Sequence, residues 1–561
     1  DWVFNAEYPM VRWLESNGYD VSYISGIDAE MRGNVMLNHK TYMSVGHDEY
    51  WSGGQRANVE AARNAGVNLA FFSGNEIFWK TRWENSIDGS GTPYRTLVCY
   101  KETQANAKID PTPAWTGSWR DPRFSPPADG GRPENSLAGT IFMNSDTGVP
   151  YAIEVPAADG KMRFWRNTSI ATLAAGTKAT LPAGTLGYEW DSDIDNGARP
   201  PGLFHMSSTT LTTTSVLQDY GSTYGTGGLT HYLTFYKHSS GAKVFGAGTI
   251  QWTWGLDANH DRGNAPADVR MQQATVNLLA DLGAQPGSIQ TGLVPATAST
   301  DLTPPTSAIV SPTAGTSFQA DGAVTISGTA SDVGGVPAGV EVSVDGGTSW
   351  HPATGRGNWT YNWTPSTLGS VTLKTRAVDD SGNIEAPGAG VTVTVTVKTC
   401  PCFIWSGAAV PASPNDSDTA AVNLGLKFRA DRNGFITGIR FYKGPANTGT
   451  HVGSLWTAGG TQLASVTFIG ETASGWQQMN FASPIAVTAN TVYVAAYHAP
   501  NGRYAGDGGY FAASGIANSP LFALRNGESG GNGVYAYGAA TAFPNSTYES
   551  ANYWVDVVFQ P

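Results

Sequence analysis

The sequence predicts a multidomain chain: an α/β domain with a parallel sheet and a β-rich insertion, followed by two all-β sandwiches. Three observations predict it. The chain has 561 residues, several times the usual domain size. Strand and helix patterns alternate over residues 20–74, the signature of βαβ units and a parallel sheet. Beyond residue 305, apolar residues recur with period two between glycine-rich turns, as in antiparallel sandwiches.

The elements follow in order. EYPMVRWLESN (7–17) places Met10, Val11, Trp13 and Leu14 on one helical face, with Pro9 in the first turn and Gly18 at the C-cap. YDVSYIS reads as a short strand. TYMSVG (41–46) and VNLAFFSG (67–74) read as buried strands, and SGGQRANVEAARNAG between them as a helix closed by Gly66. After residue 100 the chain is irregular and then β-rich to about residue 250, where GAKVFGAGTIQWTWGLD and VRMQQATVNLLADLG return to α/β patterning. This is one domain over 1–294 with a large insertion. PATASTDLTPPT marks a linker at 295–305. Residues 306–398 carry AVTISGTASD, GVEVSVDGGTSW, WTYNWT, SVTLKTRAVDDSGN and GVTVTVTV, with Asp345-Gly346-Gly347 as a turn. Residues 403–561 alternate again and end on the core strand YWVDVVF.

Composition narrows the function classes. With 33 basic and 45 acidic residues the net charge is −12, which repels phosphate backbones and argues against a nucleic-acid partner. No apolar run reaches the ~20 residues that span a bilayer, so membrane insertion is not expected. Abundant glycine and few charges suit an extracellular or cell-surface protein. The chain starts without Met and enters a helix almost at once, so a signal peptide and a first strand are expected to precede it. Cys400 and Cys402 flank Pro401 too closely for an unstrained bridge and are expected to be free or loosely paired thiols, while Cys99 has no evident mate.

Two loops stand where a parallel sheet collects its functional groups, beyond the carboxyl ends of strands. Gly46-His47-Asp48-Glu49-Tyr50-Trp51 offers an imidazole, two carboxylates and a phenol in one turn. Ser73-Gly74-Asn75-Glu76 offers a further carboxylate. His47, Asp48, Glu49 and Glu76 are therefore the candidate acid/base residues, competent for glycoside chemistry among other reactions. No cysteine or serine occupies a nucleophile elbow in either loop.

LNHKTYMSVGHDEYWS, AARNAGVNLAFFSGNEIFWKTRWE, WTGSWRDPR, GRPENSLAGT and FGAGTIQWTWGLD together resemble the C-terminal domain of the large (β) subunit of N,N-dimethylformamidase, over about residues 1–290. That resemblance implies a glutamine-amidotransferase-like α/β fold, a small amide substrate, and an iron ion held by two tyrosines and a glutamate. Tyr8 of EYP and Tyr50 of HDEY match the tyrosines. The glutamate position, placed from the block Gly117-Ser118-Trp119-Arg120, falls on Ala114, with Glu102 and Glu134 the nearest alternatives. The middle segment resembles bacterial immunoglobulin-like modules, and 403–561 an uncharacterised bacterial domain family.

Two further calls rest on the residues alone. Asp191, Asp193 and Asp195 alternate as in calcium loops, and Asp257, Asn259, Asp261 and Asp268 are similarly spaced. Tyr504, Tyr510, Tyr535 and Tyr537 lie in Gly/Asn-rich loops, where aromatic rings stack on sugars, so an extracellular polysaccharide is a candidate ligand.

Overall fold

The computed structural model describes residues 3–123, 131–146 and 149–561. It is largely β, 36% strand against 13% helix, and divides into two compact units. The first comprises 1–316, 324–363 and 370–394, the second 317–323, 364–369 and 395–561.

In the first unit, strand Thr41–His47 lies parallel to Asn68–Gly74, with Thr41 opposite Asn68 and His47 opposite Gly74. Lys243–Gly246 runs parallel along the other edge of Asn68–Gly74. Thr234–Lys237 and Phe204–His205 then extend the sheet in antiparallel fashion. The expected parallel sheet is thus three strands of a mixed five-stranded one. The central strand is apolar on both faces, as burial between helices requires. Leu69 and Phe71 pack with Trp51, Val59 and Ala62 on one side; Ala70 and Phe72 pack with Trp13, Leu14 and Leu278 on the other. Helices Gly53–Asn64 and Val269–Asp281 supply those two layers, the first capped by Ser52 and the second by Asp268.

The N-terminal helix spans Tyr8–Ser16 with Met10, Trp13 and Leu14 buried, and Gly18 takes the left-handed conformation at its end (φ 65°). YDVSYIS is not a strand. Tyr19 and Val21 pack into the core, while Ser22 bonds His39, Tyr23 bonds Glu15 and Ser25 caps the following helix. The β-rich insertion includes a four-stranded closed barrel built from Ile141–Ser145, Glu189–Ser192, Thr209–Leu217 and Tyr224–His231. In the immunoglobulin-like region Thr306–Ser311, Val324–Ser331 and Asn358–Trp363 form one sheet, and Pro337–Ser343 pairs with Gly369–Asp379 in the other.

The second unit packs a large antiparallel sheet, centred on Val422–Ala430 and Tyr493–Ala499, over a three-stranded one of Gly434–Lys443, Gly475–Val487 and the closing strand Val555–Gln560. Cys400 and Cys402 are bonded, contrary to the expectation of free or loosely paired thiols. Their Cα atoms come within 4.5 Å, inside the range that a disulfide spans, which the separation in sequence did not reveal.

Candidate functional site

The site is built where strands Thr41–His47 and Asn68–Gly74 end side by side. Gly46 has φ 82°, and a Cβ there would lie 2.9 Å from Ala6 and 3.2 Å from the Glu7 carboxyl carbon. Glycine is what lets Glu7 approach the strand end. The second strand turns through Asn75 (φ 49°) and Ile77 (φ 56°), the latter an unfavourable conformation for a β-branched residue. Backbone bonds from Ile77 N to Asp48 O (2.9 Å) and from Phe78 N to Glu49 O (3.0 Å) tie the two loops together. The barrel strand Glu189–Ser192 closes the third side, through Asp191 N to Gly248 O.

These elements gather His47, Glu49 and Glu189. His47 Nε2 lies 2.5 Å from Glu189 Oε2 and 3.6 Å from Glu49 Oε2, with side chains 17%, 14% and 14% exposed. Asn75 Nδ2 stands 3.4 Å from the same imidazole nitrogen. Burial alone would lower the His47 pKa; the pull of Glu189, with the charges of Glu49 and Asp48, outweighs it, and the pKa is raised. Burial raises Glu49 as well, against the opposing charges of His47 and Lys101. Glu7 is pushed up to about 7, first by burial and then by the charge of Asp48. Glu189 and Glu49 thus favour the protonated form of His47, while burial favours the neutral forms of Glu49 and Glu7.

Beneath it runs a buried polar layer. Ser44 Oγ donates to Asp48 Oδ2 (2.8 Å) and Ser73 Oγ to Glu76 Oε2 (2.9 Å). Thr140 Oγ lies 3.2 Å from Glu76 Oε1 and 2.9 Å from Asp191 Oδ2, and Asn75 N donates to Asp191 Oδ1 (2.9 Å). A threonine hydroxyl has one proton to give, so one of the two carboxyls bridged by Thr140 must itself be the donor. Burial, then the charge of Asp191, raises Glu76 well above the carboxylate range, in agreement. Burial likewise drives His231 down to about 4, keeping it neutral.

Of the predicted acid/base residues, His47 and Glu49 meet at the partly exposed cluster, Asp48 sits behind them, and Glu76 is sealed in the buried layer. Glu189, Glu7 and Asn75 were not predicted. Glu7 stands in the EYP motif itself, whereas nothing in GYEWDSD distinguishes Glu189 as a partner of His47.

The implied iron ligands are engaged separately. Tyr8 carries the Arg12 guanidinium over its ring at 5.7 Å and meets Phe4 edge-on. Tyr50 carries Lys101 Nζ at 5.2 Å and shares a hydrogen bond with it. Ala114 offers no ligand atom. Glu102 is taken up by the backbone N–H groups of Ile109, Asp110 and Thr116 and by Lys108, and Glu134 by Arg120. Among the described residues, the positions matched to the family's ligands do not complete the two-phenolate, one-carboxylate set that iron would need, Ala114 standing at the glutamate position.

The calcium run does not converge either. Asp191 is in the buried layer, Asp193 binds Arg199 and His205, and Asp195 binds His351 at 2.6 Å. In the second run Asp257 pairs with Arg12 and Asp268 with Arg270. Spacing along a chain says nothing about which cations fold against it. In the second unit, Tyr504 and Tyr537 converge on Asp418 (phenol to Oδ2 3.5 and 2.8 Å), and Tyr535 meets Tyr537 edge-on at 5.6 Å. Tyr510 departs from this group: it packs on Trp554 and accepts a hydrogen bond from Trp405.

Residues 1–265 match the family model described as N,N-dimethylformamidase beta subunit-like, C-terminal. Residues 305–377 match the bacterial Ig domain, and 408–555 a domain of unknown function. No curated protein matches the chain. Among solved structures, fibronectin(III)-like modules of Clostridium thermocellum CbhA are 26% identical over 17% of this chain and 100% of theirs, with a TM-score of 0.15. The sulfane dehydrogenase SoxCD from Paracoccus pantotrophus is 28% identical over 15% of this chain and 23% of its own, with a TM-score of 0.13. In the order in which the motifs stand along it, the chain is thus similar to an N,N-dimethylformamidase beta subunit-like C-terminal domain, a bacterial Ig domain and a domain of unknown function.

Proposed function

We propose that the first unit hydrolyses the C–N bond of a small amide at the His47–Glu189–Glu49 cluster. The observation that carries this reading is the partly exposed His47–Glu189 pair, 2.5 Å apart, with Glu49 3.6 Å from the same nitrogen. Helices on both faces of the three parallel strands are in keeping with the glutamine-amidotransferase-like scaffold that the resemblance implies. Glu189 holds the imidazole protonated. Glu49 takes a proton from water, whose oxygen adds to the amide carbon; the protonated His47 stabilises the developing oxyanion by hydrogen bonding and gives its one proton to the leaving amine as the carbonyl re-forms and the C–N bond breaks. Acid and amine are the products, and the proton on Glu49 returns the site to its starting state. No step draws on iron. Amine release from a panel of N-substituted formamides and acetamides tests the reading. His47→Gln and Glu189→Gln are each expected to lower kcat by about 10²-fold or more; wild-type activity at background, or undiminished activity in both variants, contradicts it.

A second reading concerns the second unit, in which Tyr504 and Tyr537 meet at Asp418 and Tyr535 packs on Tyr537, itself 59% exposed. Rings beside a carboxylate suit the alternating apolar and hydroxyl faces of a sugar. With the Cys400–Cys402 disulfide, which persists in oxidising surroundings, this supports an exported protein that binds an extracellular polysaccharide.

A further inference from the structure

Three aspartates outside both sites converge without a cation. Asp301 lies in the segment leading into the immunoglobulin-like region, Asp332 in the turn after strand Val324–Ser331, and Asp379 at the end of strand Gly369–Asp379. One carboxylate oxygen from each lies within 4.8 Å of the others. None of the three takes part in an ion pair among the described residues.

Their second oxygens explain how they are held. Asp301 Oδ1 accepts from Thr303 N (2.9 Å) and Asp332 Oδ1 from Val333 N (2.9 Å). Asp379 Oδ1 accepts from the N–H groups of Ser381 (2.9 Å) and Asn383 (2.7 Å), and its Oδ2 from Asn383 Nδ2 (2.8 Å). Oδ2 of Asp301 and Oδ2 of Asp332, by contrast, are buried from solvent and have no hydrogen-bond partner. A buried carboxylate oxygen left unpaired is costly, and a second one facing it adds repulsion. A cation between them removes both costs.

The backbone makes room for this convergence. A Cβ on Gly335 would lie 2.9 Å from Asp332 Oδ2, 3.4 Å from Asp301 Oδ2 and 2.8 Å from Asp380 Oδ1, and a Cβ on Gly334 2.7 Å from the Asp301 carboxylate. Only glycines let the turn approach three acidic side chains so closely. Of the nearby basic groups, Arg163 pairs with Asp281 and Lys237 is directed to the Asn383 amide oxygen rather than to the three carboxylates. Oxygens on opposite sides of a calcium ion, each about 2.3–2.6 Å from it, lie about 4.6–5.2 Å apart, whereas magnesium at about 2.0–2.1 Å draws them closer. The separations of up to 4.8 Å leave room for a calcium ion, and the all-oxygen donor set suits such a hard cation.

We propose that Asp301, Asp332 and Asp379, with Asp380 at the margin, bind one calcium ion that fastens the 299–303 segment to the immunoglobulin-like strands. The full chain, stripped with EGTA, is titrated with calcium by calorimetry and by thermal melting. One equivalent is expected to bind, with a melting temperature higher by about 3 °C or more at about 5 mM calcium, the range of extracellular modules. Asp332→Asn is expected to abolish both effects, because that side chain otherwise touches only Val333 N; Asp301→Asn serves should Asp332→Asn not fold. Asp193→Asn, in the unassembled run, is expected to bind as the wild type does. No heat and no shift in the stripped wild type, or an undiminished response in the folded variant, overturns the proposal.

Discussion

At the scale of single residues, the account turns on which side chains carry protons near neutrality. Glu7 illustrates the consequence. Its folded pKa of about 7 stands above the unfolded value of 4.5, so the fold favours the neutral carboxyl. That contribution to stability is present in full below about 4.5 and is lost as pH rises through about 7. Wild-type protein is therefore expected to lose melting temperature between pH 5 and 8 by about a few degrees more than Glu7→Gln does; parallel melting curves for the two would count against a buried, protonated Glu7. The sequence showed that His47 and Glu49 were chemically competent and correctly placed at a strand end. It did not show Glu189, because the partner of an imidazole is chosen by the barrel packing against it. The partners of Asp193 and Asp195 were hidden for the same reason: Arg199, His205 and His351 fold against them.

At the scale of elements, local patterning was legible wherever it was reinforced by burial. The helix at Tyr8–Ser16, the strands ending at His47 and Gly74 and the helix between them follow from periodicity and capping. YDVSYIS failed because alternation describes only one strand and supplies no neighbour to pair with. Backbone close approach was the other hidden feature. Gly74 sits where a Cβ would meet the Thr249 backbone at 2.9 Å, and Thr249 N donates to Ser73 O. Gly74→Ala is thus expected to destabilise the protein by about 2 kcal/mol and to displace the Asn75–Ile77 turn, lowering kcat as well; denaturant melts with the wild-type midpoint would contradict this.

At the scale of the whole molecule, the order of modules was readable from composition, turn signals and motifs, since each domain announces its own period. Which modules bind what was less so: Tyr535 and Tyr537, expected in loops, stand in strand Val534–Tyr537, and of the four tyrosines only Tyr504 and Tyr537 reach Asp418, while Tyr510 is held by Trp405 and Trp554. On a glycan array the full chain is expected to bind at least one polysaccharide class, and Tyr537→Ala to weaken that binding about tenfold, in line with the loss of one stacked aromatic ring of about 1–1.5 kcal/mol. Silence of the wild type across the array would leave the tyrosines as surface packing.

The central claim is that Glu189 keeps His47 protonated for amide cleavage, and the pH dependence of kcat/KM for amine release measures it most directly. If His47 is the acid, activity falls as pH rises through its raised pKa, and in Glu189→Gln the same fall begins at lower pH. A basic limb that stays in place when Glu189 loses its charge would contradict the account.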